Sequence, residues 1–211
     1  MSIPAIPRQV FISHLRGKMD GIPAITTSMM CNPICAGRAK VPGSVCAHCY
    51  AGRGLKIYKK ARERYAENTE LLSSHDLEPY EIPVVNSAIA RFESHGDLVN
   101  ITHARNYLHI AKANPWCTFA IWTKNPGYLD KAIQQCGKPD NLICVLSSEK
   151  LNEPTQLCKR FSWVDKVFTV YDKDAVAQGK AIINCGAKSC LTCRKCYSKN
   201  NHEFYINETL K

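Results

Sequence analysis

Eight of the twelve cysteines stand in two tight groups, one toward each end of the 211-residue chain. The first is Cys31-x3-Cys35-x10-Cys46-x2-Cys49, and the second is Cys185-x4-Cys190-x2-Cys193-x2-Cys196. Each offers four sulfurs within a loop-sized stretch, the donor set of a tetrahedral zinc ion or of an iron–sulfur cluster. In the second group three cysteines repeat at two-residue spacing, as in bacterial ferredoxin loops, where a tight turn reaches successive corners of a [4Fe–4S] cubane. Cys185 completes that set. Zinc sites more often pair two such knuckles across a longer loop, so zinc stays the alternative. The first group suits either metal, and its place after a first strand and before a first helix favours iron–sulfur. Cys117, Cys136, Cys144 and Cys158 read as packing or surface residues.

The rest of the composition frames that chemistry. A chain of this length buries a core without disulfides, and one domain, residues 1–211, is expected. The opening MSIPAIPRQVF has no basic stretch followed by an apolar one, so no secretion signal is read there. No apolar run approaches the roughly 18–20 residues of a membrane span. A cytoplasmic, reducing setting is expected, where clustered cysteines are metal ligands more often than disulfides. The formal charge of +10 counts every cysteine as neutral, so thiolate-bound metal would offset part of it. A basic surface also admits nucleic acid as a partner, although the Lys and Arg residues are dispersed.

The elements that must position the cysteines alternate in type. Strands are expected at Ala24–Met29, Ser87–Ser94, Cys117–Thr123, Asn141–Ser147, Val164–Tyr171 and Lys180–Asn184. Helices are expected at Leu55–Leu72, His103–Asn114, Tyr128–Cys136, Asn152–Arg160 and Asp172–Gln178. Continuous apolar strands alternating with helices predict an α/β fold with a parallel sheet, curled into a partial (β/α)6 barrel. Function in such folds gathers at the carboxyl ends of the strands. That points to Glu93, Ser94, Gly96 and Asp97 after the second strand, Thr123 and Lys124 after the third, and Ser147, Ser148 and Glu149 after the fourth. The cysteine loops, 31–49 and 185–196, are expected to follow strands one and six and to flank one cleft.

The stretches CAHCYAGRG, RFESHGDL, FAIWTKNP, NLICVLSSE and CLTCRKCY, in this order and spacing, make the chain similar to the phage-encoded gene product 88 family. The cysteine loop ahead of six βα units also resembles the radical S-adenosylmethionine (SAM) partial-barrel superfamily. The first resemblance implies a bacteriophage or prophage origin, hence a host-cell cytoplasm, and carries no settled activity. The second implies a concrete mechanism. Three cysteines would hold a [4Fe–4S] cluster with one iron open to the amino and carboxylate groups of SAM, and reductive cleavage would yield a 5′-deoxyadenosyl radical. A polar motif after strand two, here Glu93-Ser94-His95-Gly96-Asp97, would bind the SAM amino group, with Lys124 and Glu149 meeting SAM or substrate. The superfamily spacing is Cys-x3-Cys-x2-Cys, whereas this chain has a fourth cysteine and a ten-residue insertion. If all four ligate one cluster, no iron stays open.

Two [4Fe–4S] clusters are therefore expected, one per quartet, the C-terminal one an auxiliary electron carrier or an anchor for a small-molecule or macromolecular substrate. Whether the chain is an enzyme stays open at this stage. If it is not, it is an electron-transfer partner that needs a donor, or a nucleic-acid-binding protein that uses zinc or iron–sulfur sites for structure. In the last reading helix Leu55–Leu72 and the aromatic residues Tyr50, Tyr58 and Tyr65 would meet phosphates and bases.

Overall fold

The computed structural model describes residues 8–199 and 203–210, so the first seven residues of the stretch read for a secretion signal lie outside it. Seven strands form one sheet in sequence order: β1 (Ser13–His14), β2 (Pro23–Ile25), β3 (Ile89–Phe92), β4 (Thr118–Thr123), β5 (Leu142–Ser147), β6 (Lys166–Tyr171) and β7 (Tyr205–Thr209). β1 pairs antiparallel with β2, and every other pairing is parallel. The fold is therefore mixed α/β, and the sheet is open, with β1 and β7 as its edges.

The two faces of the sheet are covered differently. The helices α1 (Pro33–Arg38), α2 (Tyr50–Ile57), α3 (Lys59–Ser74), α4 (Ile101–Ala113) and α5 (Pro126–Cys136) connect β2 to β5. Leu72 of α3, Tyr107, Leu108 and Ile110 of α4, and Leu129 of α5 pack with Phe92, Phe119, Ile121, Leu142 and Cys144 in one buried cluster. Crossovers of one hand between neighbouring strands put their helices on one side, as observed. The alternate strand residues Ile89, Ala120, Trp122, Ile143 and Val145 face the other way and meet Tyr197 with half-buried Phe168, Cys190 and Cys196. The C-terminal cysteine segment, not a helix layer, covers that second face.

Local chemistry explains the boundaries. Asn100 caps α4 by accepting from His103 N at 2.9 Å, Pro126 opens α5, and Gly137 closes it at φ +73°. The expected helix Leu55–Leu72 divides at Tyr58 into α2 and α3. The expected helix Asn152–Arg160 shrinks to a 3-10 turn over Leu157–Arg160. Asn152 there sits at φ +63°, with its side-chain amide joined to Asp172 and Pro154 following, and a helix cannot start from that geometry.

The last expected strand is corrected. Lys180–Asn184 is not a strand, and Ile182 is 86 % exposed. The strand that pairs with β6 is β7, whose sequence YINET is polar because it forms a sheet edge. Residues 182–185 run along its outer side, where Asn184 Oδ1 accepts from Asn207 N at 2.8 Å and Asn207 O accepts from Cys185 N at 3.0 Å. The second cysteine group thus precedes the last strand instead of following it. The short helices α6 (Lys173–Ala177) and α7 (Cys190–Cys193) lie in the same β6–β7 connection. Among the described residues no helix is long and apolar enough to cross a membrane.

Candidate metal and ligand site

The N-terminal cysteine loop leaves β2 through buried Thr26, Thr27 and Ser28 and turns at Asn32. The Asn32 side chain caps α1 by accepting from Ile34 N at 3.0 Å and donates to Asp97 O at 2.9 Å. Cys35 lies on α1. Cys46 lies on a 3-10 turn (Val45–His48) that Ser44 caps, and Cys49 follows it. Cys35, Cys46 and Cys49 line one small cavity of about 60 Å³ together with His95, Gly96, Asp97 and Lys124. Cys31 is exposed and does not line it. Burial, with help from Asp97 and Cys46, pushes the Cys35 thiol up to about 12.

The ten residues between Cys35 and Cys46 form a strap across the strand ends. Arg38 donates to Lys124 O after β4 at 2.9 Å, lies 3.5 Å from Asp97 Oδ2 after β3, and pairs with Glu149 after β5. Val45 N donates to Glu149 O at 2.8 Å, and Leu151 N to Gly43 O at 3.0 Å. One guanidinium thereby links three consecutive strand ends, a task its five fixed donors suit.

Beneath the strap, the 93–97 motif divides its labour. Glu93 is fully buried at φ +59°, a left-handed conformation costing about 1–3 kcal/mol that the surroundings must hold. Its carboxylate accepts from Tyr107 OH at 2.7 Å and from Thr27 Oγ1 at 2.8 Å. His103 Nε2 lies 3.2 Å from Glu93 Oε1, an ion pair only when that ring is protonated. Burial alone would raise this carboxyl, but His103, Tyr107 and Thr27 outweigh it and hold it below the usual range. Gly96 packs so closely on this pair that a Cβ would lie 2.3 Å from Thr27 Oγ1 and 2.6 Å from Glu93 Oε2. Asp97 accepts from Thr123 Oγ1 at 2.7 Å and Lys124 N at 3.0 Å, and burial keeps its carboxyl raised. Ser94 bonds Thr26 Oγ1 at 2.7 Å and His95 Nδ1 at 2.8 Å, and its carbonyl accepts from Tyr50 OH at 2.5 Å.

The C-terminal quartet is built from two successive turns. Ser189 caps α7, and Arg194 at φ +51° reverses the chain into a 3-10 turn at Lys195–Tyr197. Cys185, Cys190, Cys193 and Cys196 all line one cavity of about 230 Å³. Lys18 Nζ donates to Cys185 Sγ at 3.1 Å, to Cys185 O at 2.9 Å and to Glu208 at 3.2 Å. Burial, aided by the neighbouring cysteines and opposed by Arg91, pushes the Cys196 thiol up to about 12.

Between the two cysteine sites lies a further cavity of about 190 Å³, lined by Cys46, Cys49, the 93–97 motif and Lys124. It shares Tyr50, Arg91, Trp122, Phe168 and Glu208 with the C-terminal cavity, so the two are contiguous. Of the residues expected from sequence, Glu93, Ser94, Gly96, Asp97, Lys124 and Ser147 line this chamber, the Glu93 carboxylate being held by Thr27 and Tyr107. Glu149 lines neither cavity and instead holds the strap. Sequence reading missed Arg38, Arg91 and Trp122; the available signal was a lone arginine inside the apolar strand Ile89–Phe92.

All eight cysteines are free thiols. Among the described residues, no group of three or more His, Cys, Asp or Glu side chains is gathered tightly enough to hold a metal ion as it stands. The donor set is nonetheless all sulfur, three around one cavity and four around another, which suits soft metals and iron–sulfur clusters. A cubane binds each thiolate at a different iron corner, so its ligands surround a space instead of meeting at a point.

Fold and site together define an open α/β protein with cysteine-rich segments at the strand ends and on one sheet face. The family model described as gene product 88 matches residues 12–205, and the chain belongs to that family. No curated protein and no solved structure matches it.

Proposed function

We propose that this chain is an iron–sulfur protein of radical SAM type, with a SAM-accessible [4Fe–4S] site on Cys35, Cys46 and Cys49 and a fully ligated one on Cys185, Cys190, Cys193 and Cys196. The observation that carries this reading is the unequal use of the two quartets. Three N-terminal cysteines share a cavity with the strand-end motif and the fourth is exposed, whereas all four C-terminal cysteines share theirs. The sequential parallel order from β2 to β7 agrees with a partial barrel of that superfamily.

When bound, such a cluster supplies an electron to SAM and thereby the means to abstract a substrate hydrogen. The chain's residues do the holding. Glu93, braced by Thr27 and Tyr107, fixes the turn that brings Ser94–Asp97 to the chamber. Lys124 borders both the three-cysteine cavity and the chamber, where its ammonium suits the carboxylate of SAM. The strap through Arg38 covers the strand ends. The setting we propose is a host-cell cytoplasm, where thiols stay reduced.

Protein purified without oxygen should contain about eight irons and eight sulfides and should bind SAM in calorimetry. Zinc without sulfide would overturn this reading. The nucleic-acid reading then comes forward, carried by the exposed run Arg53, Lys56, Tyr58, Lys59 and Lys60. Tyr65, expected there to meet bases, is 6 % exposed and belongs to the core.

A further inference from the structure

Arg91 stands in the middle of β3 on the sheet face opposite the helices. Its register partners on both sides are small, Ala24 of β2 and Ala120 of β4, which leaves room for a long side chain to lie over the sheet. The guanidinium sits 3.9 Å from the centre of the Trp122 ring. Its Nε donates to Glu93 O at 3.3 Å, and Nη1 meets only the weak acceptor Met19 Sδ at 3.2 Å. Among the described residues no carboxylate pairs with it. Glu208, the acid that shares the chamber, is bonded to Lys18. Trp122 is 8 % exposed, and its indole N–H is buried without a partner. Both side chains line the chamber and the cavity beside it. A guanidinium with no carboxylate partner thus lies on the Trp122 ring along one wall, while Phe168, Val170 and Tyr50 supply apolar and aromatic surface. A partly exposed guanidinium without a carboxylate partner can present its planar fork to an oxyanion.

We infer that the chamber binds a small molecule with a planar apolar body and an oxyanion, carboxylate or phosphate, the anion on Arg91 and the body against Phe168 and Tyr50. This deepens the proposed function by naming the ligand class of its chamber. Its test does not pass through SAM chemistry.

The test is calorimetric titration of the full chain, purified without oxygen, with benzoate, phenyl phosphate and phenol, with metal and sulfide measured on the same samples. At least one of the two anions should bind about tenfold or more tightly than phenol, and the preferred one separates carboxylate from phosphate ligands. Arg91→Gln should lose about tenfold or more, and Arg91→Lys less, because charge is kept without the fork. Trp122→Phe, which keeps a ring beneath the guanidinium, should lose less than Arg91→Gln. Equal binding of phenol and the anions, no binding of either anion, or an unchanged affinity in Arg91→Gln would overturn the inference. An Arg91→Gln protein that loses metal but keeps anion affinity would show Arg91 to be a counter-ion of the cysteine quartet instead. Failure of the iron–sulfur reading would appear separately, as protein without sulfide.

Discussion

The two cysteine segments differ in how the fold holds them. The N-terminal one is strapped down: Arg38 reaches three strand ends, Val45 and Leu151 form backbone bonds across the strap, and Asn32 ties its start to Asp97. Even so, it leaves Cys31 outside the cavity of the other three. The C-terminal one lies on the open face of the sheet, with all four cysteines on one cavity and Lys18 bonded to a sulfur. A rigid frame thus accompanies the incomplete quartet and a simple wrap the complete one. A site that must present an open coordination position to a ligand needs its surroundings fixed; a closed site is held by its own ligands.

Substitutions in the frame should therefore disturb the N-terminal site and spare the other. Gly96→Ala has the largest expected effect, because its methyl group would meet Thr27 and Glu93 well inside contact distance. We expect a loss of about 2–3 kcal/mol in urea unfolding, with SAM binding reduced and the C-terminal quartet's metal retained. Glu93→Gln should cost about 2 kcal/mol at neutral pH. It also carries a pH signature. The folded-state carboxyl is held low, so the stability it contributes is complete above the usual carboxylate range and is lost as pH falls through it. Asp97, raised by burial, acts in the opposite sense, since its ionised form is disfavoured in the fold and acid relieves that cost. Stability measured from about pH 6 down to about pH 3, across and below the usual carboxylate range, should fall less steeply for Glu93→Gln than for the unaltered protein. An equal slope would remove Glu93 from the account.

Arg38→Met comes next, at about 1 kcal/mol. Its clearer readout is hydrogen exchange, which should quicken across residues 36–45 and at 149–151 and stay unchanged at 185–196. The smallest effect is expected at Lys18→Met. It removes the N–H donor to Cys185 and nearby positive charge, so the reduction potential of the proposed C-terminal cluster should move to more negative values in a redox titration. A shift at the N-terminal site alone would mean that Lys18 does not act on the C-terminal quartet.

Much of the fold was legible because β4 and β5 are continuous apolar runs buried on both faces. β7 was hidden for the opposite reason: YINET is polar, and its place is set by pairing with β6, not by hydrophobicity. The more apolar KAIIN seemed the better strand by composition, yet its Ile182 side chain is exposed and side-chain amides fasten this segment to β7. At the site, spacing revealed both quartets but not which sulfurs share a cavity, since that depends on where the ten-residue strap crosses. Arg38 gave no signal of its own, because its three partners are contributed by strand ends 59 to 111 positions away, a separation that no local pattern encodes.

The central claim is that Cys31 stands outside a three-cysteine site. Its most direct test is electron paramagnetic resonance of the reduced protein, with and without SAM, for Cys31→Ala and Cys35→Ala. Cys31→Ala should keep about eight irons and a signal that SAM perturbs, while Cys35→Ala should lose about half the iron and all sensitivity to SAM. Loss of the SAM-sensitive signal in Cys31→Ala would contradict the account and put Cys31 among the three ligands of the SAM-accessible cluster.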